Sequence, residues 1–172
     1  MEQVKWFDRS FDFSSIQNTF PSILERLSGT PARLEEKLSM LHLDILSLRV
    51  GDSWTIKENI GHLADLEPLW QGRFQDIING QAELRPADLS NRKTDLAGHD
   101  QFSLEALLLS FRQARTHTLQ LLENFTEDLV YKSALHPRLK TPMRSIDMCL
   151  FIAEHDDHHL ARITALSRQL LL

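Results

Sequence analysis

The sequence predicts an all-α fold, a four-helix bundle with long connections between its helices. Apolar residues recur every three or four positions in four separate segments, and two of these segments open with recognisable helix caps. No stretch alternates apolar and polar residues for long enough to indicate a strand. With 172 residues, 42% of them hydrophobic, the chain can bury one core, so residues 1–172 are expected to form a single domain.

The first helical segment covers residues 14–48 and is interrupted by Gly29, Thr30 and Pro31. Because proline fits the first turn of a helix and threonine is a common N-cap, Pro31 is expected to begin a new helical turn that Thr30 caps. The apolar stripe continues on both sides of the break, at Phe20, Ile23, Leu24, Leu27, Leu34, Leu38, Leu41, Ile45 and Leu48.

The second helix has the clearest start signal in the chain. Thr55 is followed three residues later by Glu58, a spacing typical of a capping box. The apolar stripe after it ends near Asn79 and Gly80, which are common residues at a helix C-terminus. The polar stretch that follows, residues 81–101, is long for a helix connection, and such a segment is either functional or partly mobile.

Two more helices complete the prediction. The third starts near Ser103, and a second long connection covers residues 124–141. The last helix is expected to start at Thr141 and Pro142 and to run almost to Leu172. Amphipathic helices with two long connections are typical of a bundle.

Composition argues against several classes of partner. The net charge of -5, with scattered lysines and arginines, disfavours binding of nucleic acid. No apolar stretch approaches the length of about 20 residues that crosses a bilayer, and the N-terminus lacks the apolar core of a signal peptide. A lone cysteine, Cys149, fits a reducing compartment and is expected to be a buried core residue. We therefore expect a cytoplasmic protein without membrane partners.

A pair of histidines four residues apart, His155 and His159, is the strongest functional signal. Side chains at this spacing project from one face of a helix, one turn apart, and can offer two nitrogens to one metal ion. Helical geometry places both on the apolar stripe of Met148, Ile152 and Ile163, so they are expected to face the core. The alternative is a pair of structural core histidines, although burying unpaired imidazoles is costly.

A third histidine, His62, lies at the edge of the apolar face of the second helix. Together with the pair it would form a three-histidine site with an open position, although spacing alone does not establish it as a ligand. His158 is expected to rotate away from the site. His42 and His117 are expected to be in solvent.

Beyond the three candidate ligands, several residues are weaker predictions. His99 and His136, in the long connections, either line the site or are solvated, and solvation is favoured for both. Asp65 and Glu58 lie one turn either side of His62 and could orient its ring, although exposed helix charges are the favoured interpretation. Arg92 and His136 are speculative substrate contacts.

The residues from Trp54 to Glu67 and from Glu154 to Ile163 together resemble the DinB/YfiT-like superfamily of four-helix-bundle metalloproteins. The resemblance covers residues 11–170 and implies that His62, His155 and His159 bind one divalent metal. It also implies a homodimer. Similar proteins include thiol S-transferases, a thiol-dependent isomerase and proteins labelled as metal-dependent hydrolases.

Three functions follow from these signals. The first hypothesis is a metal-dependent thiol S-transferase acting on a small-molecule electrophile, with a low-molecular-weight thiol as cosubstrate because the chain has no plausible catalytic cysteine. The second is a hydrolase that uses metal-activated water, for which Glu154, Asp156 and His158 are the nearby candidates for a general base. The third is a non-catalytic protein that binds metal or a stress-related ligand. Zinc is the default metal, and nickel is expected as a contaminant of purified samples.

Overall fold

Four long helices carry the structure, a computed structural model that describes residues 3–171. The long helices are α1 (Phe20–Ser39), α2 (Ile56–Ile78), α4 (Leu104–Leu122) and α6 (Ser145–Leu170). The connections contain two short helices, α3 (Arg92–Leu96) and α5 (Glu127–Tyr131), and two strands, β1 (Ser133–Leu135) and β2 (Pro142–Arg144). The prediction of an all-α four-helix bundle is confirmed.

The long helices pack in a ring in the order α1, α4, α2, α6, so that each contacts two neighbours. Helices α1 and α2 therefore lie diagonally across the bundle although they are consecutive long helices. Helices α4 and α6 are diagonal in the same way. The connection between the neighbouring helices α2 and α4, residues 79–103, is longer than either connection that crosses a diagonal, residues 40–55 and 123–144, so the diagonal crossing alone does not set the length of a connection.

The buried face of each long helix is apolar towards both ends and polar in its middle. One apolar cluster fills one end of the bundle and includes Leu27, Phe74, Leu122 and Ile152. A second fills the other end and includes Leu34, Ile60, Phe111 and Ile163. Between them lies a layer of buried polar side chains, which we call the buried ion cluster: Thr30, Glu67, Arg115, Thr118 and Asp156.

Arg115 is the centre of the buried ion cluster and is only 1% exposed. Its Nε donates to Glu67 Oε1 at 2.8 Å, and its Nη1 and Nη2 donate to Asp156 at 2.6 and 3.0 Å. The Thr118 hydroxyl donates to the second oxygen of Glu67. Burial lowers the pKa of Arg115, but the charges of Asp156 and Glu67 outweigh it, so the pKa of Arg115 is raised. Burial also raises the pKa of Glu67, because it disfavours the charged carboxylate. Buried charges of this kind are tolerated only because they are paired and hydrogen-bonded.

Helix α1 runs through Pro31 without the interruption that we expected. A proline inside a helix leaves the carbonyl four residues before it without its usual N–H donor. Here that carbonyl belongs to Leu27, and Arg115 Nη1 donates to it at 3.0 Å. The α4 side chain therefore satisfies the group that Pro31 leaves free, and the helix continues. It also ends earlier than predicted, at Ser39, and residues 43–45 form a separate 3-10 turn.

The capping box of α2 is confirmed. The Thr55 hydroxyl accepts from the Glu58 backbone N–H at 3.0 Å, while the Glu58 carboxylate accepts from the Thr55 backbone N–H at 2.7 Å. The helix then runs to Ile78 through Pro68.

The expectation of no strand was wrong. Strands β1 and β2 pair antiparallel, with Ala134 opposite Met143, and the last helix begins at Ser145 just after β2 rather than at Pro142. Three-residue strands are too short to show an alternating pattern, so periodicity misses them. Glu83 from the first long connection bridges to Leu135, which fastens that connection to the edge of β1.

Candidate metal centre

The three predicted histidines come together in the core between α2 and α6. His155 and His159 lie one turn apart on α6, with their Nε2 atoms separated by 3.2 Å. The His62 ring centroid lies 5.3 Å from that of His155 and 4.8 Å from that of His159. One nitrogen from each ring lies within 4.8 Å of the other two, and the residues are only 3%, 3% and 7% exposed. This histidine cluster has the donor set of an imidazole metal site.

Hydrogen bonds outside the cluster orient two of the rings. The Thr94 hydroxyl donates to Asp65 Oδ2 at 2.9 Å, so its oxygen accepts from His62 Nδ1 at 2.9 Å. His159 Nδ1 donates to Asn59 Oδ1 at 2.9 Å. In each ring the proton is thereby held on Nδ1, and the Nε2 lone pair is left to point into the cluster.

Burial keeps these imidazoles neutral. Loss of solvation lowers the pKa of His62 to about 4, and it lowers the pKa of His155 and of His159 well below the ordinary value of 6.5. Neutral rings carry the lone pairs that bind metals. Several nitrogen lone pairs facing one another in a buried space are unfavourable without a cation between them.

His155 is the least satisfied ring of the three. Its Nδ1 atom is buried, and among residues 3–171 it has no hydrogen-bond partner. Its ring is held by aromatic contacts instead, with Trp6 at 4.9 Å and Trp70 at 5.8 Å between centroids. His155 Nε2 can offer at most one N–H to the two Nε2 lone pairs of His62 and His159, and it lies 3.2 Å from the latter. The donor set therefore fits a divalent ion, which would accept the lone pairs of all three rings.

A cavity of about 450 Å³ opens beside the histidine cluster. Its walls are mainly aromatic and apolar, and they come from α2, α6, the connections before and after α2, the connection before α6 and the N-terminal segment, residues 3–13. The volume lies within the range of about 300–1,000 Å³ for small-molecule sites. The walls include Trp6, Phe7, Trp54, Leu66, Leu69, Trp70, Leu89 and Phe151.

Two weaker predictions about histidines were wrong: His99 and His136 were expected to be solvated, and both are buried. His136 lines the cavity, and His99 Nε2 lies 2.8 Å from Asp65. His158 lies outside the three-histidine cluster, as expected, but it still lines the cavity, with its ring centroid 5.4 Å from that of His159 and its Nδ1 2.9 Å from Gln3 Nε2. His42 and His117 are exposed, as predicted.

Asp65 is not the solvated helix charge that we favoured. It binds Thr94 and His99, and so it acts on His62 through the Thr94 hydroxyl. Glu58 instead caps α2 and pairs with Arg49 at 2.5 Å. No signal in the sequence connects Thr94 with His62, because the two lie 32 residues apart and meet only when the first connection folds back.

The carboxylates near the histidine pair all have other partners. Asp156 belongs to the buried ion cluster. Glu154 pairs with Arg9 and Arg26 at 2.5 and 2.8 Å. Cys149 is buried, and burial raises the pKa of its thiol. The predicted substrate contact Arg92 is exposed and does not line the cavity.

Asn59 was missed by the sequence analysis although a signal existed. It lies three residues before His62 on the same helix, so both side chains face the same way. An amide one turn from a candidate ligand is a candidate outer partner for another ligand. Asn59 Nδ2 donates to the Thr55 carbonyl at 2.8 Å, which fixes its Oδ1 towards His159.

Comparisons with known proteins agree with this architecture. The sequence profile of the DinB superfamily matches residues 18–163. Among solved structures, YfiT from Bacillus subtilis, described as a probable metal-dependent hydrolase with an unusual four-helix bundle topology, superposes with a TM-score of 0.79 at 22% identity. That match covers 94% of this chain and 93% of YfiT. No curated protein sequence matches the chain at a significant level.

Within the described residues, none of the helices combines the length and the apolar character that a membrane span requires.

Proposed function

The chain belongs to the DinB superfamily, and from that premise we propose that it is a metal-dependent enzyme acting on a small molecule. His62, His155 and His159 would hold one divalent ion. The observation that carries the proposal is the convergence of three buried, neutral imidazoles beside an apolar cavity, with one nitrogen from each ring within 4.8 Å of the other two. The description of YfiT as a probable metal-dependent hydrolase supports the same class of chemistry.

When bound, a divalent ion with three imidazole ligands supplies Lewis-acid activation of a thiol or a water molecule at its open position. Zinc is the ion we propose, since it accepts this donor set and is redox-inert. Nickel suits the same ligands and is expected in samples purified on nickel resin. Thr94 and Asn59 would hold the His62 and His159 rings in place for either ion.

Thiol S-transfer is the reaction we propose first. A thiolate is already a nucleophile, so this reaction does not need a general base in the cavity. Among the described residues, the carboxylates close to the histidine cluster are committed to arginines, to Thr94 or to helix caps. The chain's own Cys149 is buried in the core, so a low-molecular-weight thiol would enter as cosubstrate. The aromatic walls would bind the apolar body of an electrophile.

Hydrolysis is the second candidate, and His158 is the residue that favours it. His158 is half-buried, lines the cavity and lies beside His159, where it could accept a proton from water. Burial and the neighbouring Arg9 and Arg162 lower the pKa of His158 to about 4, which makes it a weak base near neutral pH. For this reason hydrolysis ranks below thiol transfer.

Elemental analysis by mass spectrometry tests the metal site. Untagged protein is expected to carry close to one equivalent of divalent metal, and His62→Ala and His155→Ala are expected to lose it. His117→Ala is the matched control, because that histidine is exposed on α4. Metal absent from the native protein, or retained in both variants, would contradict the proposal.

An activity screen separates the two reactions. Zinc-loaded protein is incubated with activated esters and with soluble electrophiles, each with and without a panel of low-molecular-weight thiols. Thiol transfer predicts thiol consumption that His155→Ala abolishes, whereas ester cleavage without thiol would establish hydrolysis instead. Tight metal binding without turnover of either class would favour a non-catalytic binding protein.

Thr94→Val tests whether the hydroxyl orients His62. Valine keeps the shape of threonine and removes the hydrogen bond to Nδ1, so zinc affinity is expected to fall about 10–100-fold. Thr116→Val, at an exposed position of α4, is the control and should leave affinity unchanged. Equal zinc affinities of Thr94→Val and Thr116→Val would contradict a role for the Thr94 hydroxyl in orienting His62.

The homodimer and the cytoplasmic location stay predictions. Light scattering on the purified protein measures the first, and cell fractionation measures the second.

A further inference from the structure

The end of the cavity away from the histidine cluster is rich in hydrogen-bond donors. We call its three side chains, Arg73, His136 and Arg138, the basic end. Arg73 is only 2% exposed, its Nε donates to the Arg85 carbonyl at 3.1 Å, and its Nη1 lies 3.1 Å from His136 Nε2. Arg138 Nη2 is buried without a hydrogen-bond partner among residues 3–171. In that same range neither arginine forms an ion pair.

The acidic groups near the basic end are occupied elsewhere. Asp76 accepts from the Arg85 backbone N–H and Nε at 2.9 Å each and from its Nη2 at 2.7 Å. Asp88, which also lines the cavity, accepts from the Ser90 and Arg92 backbone N–H groups at 2.9 Å each. A buried guanidinium is usually paired with a carboxylate, so Arg73 departs from the common pattern.

His136 shows a shortage of acceptors at the same place. Its Nδ1 accepts from the backbone N–H groups of Arg138 and Leu139 at 3.2 and 3.1 Å, while Arg73 Nη1 approaches its Nε2. A neutral imidazole has one N–H and one lone pair. Whichever nitrogen carries the proton, one N–H of the ring therefore faces another N–H group. An additional acceptor is needed to satisfy them.

The charges of the basic end are consistent with this shortage. Burial, followed by the charges of Arg73 and Arg138, lowers the pKa of His136 to about 4. Burial also lowers the pKa of Arg73 to about 10, and it lowers the pKa of Arg138. Both arginines remain protonated near neutral pH, and the charge of Asp76, which is hydrogen-bonded to Arg85, offsets that of Arg73 only in part.

We propose that Arg73, His136 and Arg138 bind the anionic oxygen group of the substrate, a carboxylate or a phosphate ester. A guanidinium presents paired N–H groups that match either group. The molecule would then lie with its anionic group at the basic end and its reacting group at the histidine cluster. Calling the occupant a substrate rests on the proposed function, whereas anion binding at the basic end does not.

The geometry between the two ends fits a molecule with an apolar body. Arg73 follows His62 by eleven residues on α2, which separates their Cα atoms by about 17 Å along the axis. Aromatic rings connect the ends: the His136 ring lies 5.5 Å from that of Phe151, which lies 5.0 Å from that of Trp6 and 6.2 Å from that of Trp70. The inferred substrate is therefore an elongated small molecule, apolar in the middle and anionic at one end.

Binding of benzoate, benzamide and phenyl phosphate to metal-free protein tests the proposal. Benzoate and benzamide have nearly the same shape, and only benzoate carries a negative charge. We expect benzoate or phenyl phosphate to bind at least about tenfold more tightly than benzamide, since a hydrogen bond to a charged group contributes roughly 1.5–3 kcal/mol. The ratio of the two anions shows whether carboxylate or phosphate is preferred. Equal affinity of all three compounds would overturn the proposal.

Three Arg→Gln variants, each of which removes one positive charge, show where the anion binds. Arg73→Gln and Arg138→Gln are each expected to weaken anion binding about tenfold or more without changing the affinity for benzamide. Arg138 is only half-buried, so its variant serves if Arg73→Gln does not fold. Arg92→Gln removes the same charge from an exposed position outside the cavity and should bind like the native protein. A loss of the same size in Arg92→Gln would contradict a local site.

Indole N–H resonances distinguish failure of this proposal from failure of the proposed function. The chain has three tryptophans, and all three line the cavity. Trp70 lies under the Arg73 guanidinium, 5.5 Å from it, whereas the Trp54 ring lies 4.6 Å from that of His62. Benzoate is expected to shift the Trp70 resonance, and zinc to shift that of Trp54. A benzoate effect without a zinc effect refutes the metal site alone, and a zinc effect without a benzoate effect refutes the anion site alone.

Discussion

Replacing Arg115 by methionine is expected to destabilise the protein more than any surface change. Methionine has a similar reach but no charge, so Glu67 and Asp156 would lose the cation that they share. The Leu27 carbonyl would also lose the donor that Pro31 cannot supply. Removing one partner of a buried ion pair costs about 3–5 kcal/mol, a large share of a typical total of about 5–15 kcal/mol.

Urea unfolding followed by circular dichroism measures this loss. Thermal unfolding gives a second measure: for a chain of this length 1 kcal/mol corresponds to about 2–4 °C, so Tm is expected to fall by roughly 6–20 °C. Arg112→Met is the matched control on the same helix. Arg112 pairs with Glu35 through Nε and Nη2 at 2.9 and 2.7 Å, but both side chains are exposed, so the expected cost is below about 1 kcal/mol.

The pH dependence of the Arg115→Met variant checks the cause. Without Arg115 the folded pKa of Glu67 rises further above its unfolded value, because burial already raises it. A carboxyl whose folded pKa is raised loses stability as pH rises through that pKa. The difference in free energy of unfolding between the native protein and Arg115→Met should therefore shrink when the pH is lowered to about 5. A loss equal to that of Arg112→Met, or a deficit independent of pH, would refute the role assigned to the buried ion cluster.

Two further predictions concern the long connections. The pKa of His136 is about 4 in the folded protein and 6.5 in the unfolded chain, so the unfolded chain takes up a proton first as pH falls. The free energy of unfolding should therefore drop by about 2 kcal/mol between about pH 7 and about pH 5. Urea unfolding at both pH values should show that this drop is lost in His136→Gln and kept in His117→Gln. A Cβ on Gly61 would lie 2.3 Å from the His99 ring, so Gly61→Ala should cost about 1–3 kcal/mol. Gly29→Ala meets nothing within 4 Å and should gain up to about 1 kcal/mol; equal effects of the two alanines in thermal unfolding would contradict the close contact.

Local rules explain which parts of the fold could be predicted from the sequence. The start of α2 follows from Thr55 and Glu58, which are three residues apart and interact within one helical turn. The continuity of α1 through Pro31 could not be predicted, because the donor that replaces the missing N–H is Arg115, 88 residues from Leu27. Sequence patterns carry no information about which distant side chain reaches a given carbonyl.

The same division applies to the site. His155 and His159 face the core together because helical periodicity places them on one stripe, and this is visible in the sequence. Thr94 lies 32 residues from His62, Asn59 lies 100 from His159, and His136 lies 63 from Arg73. These contacts depend on how the connections fold back over the bundle. The candidate ligands could thus be predicted, but not the groups that orient them or the basic end.

The contact between the two ends of the chain has a consequence for how the protein is made. Gln3 binds His158, 155 residues later, and the rings of Trp6 and Phe11 pack on Phe151 of α6. During synthesis these N-terminal aromatic residues leave the ribosome long before their partner helix, and a ribosome adds only about 5–20 residues per second. For several seconds they have no surface to cover them. A nascent or truncated chain that lacks α6 is therefore expected to leave the aromatic rings of Trp6 and Phe11 without these contacts and to be more prone to aggregation.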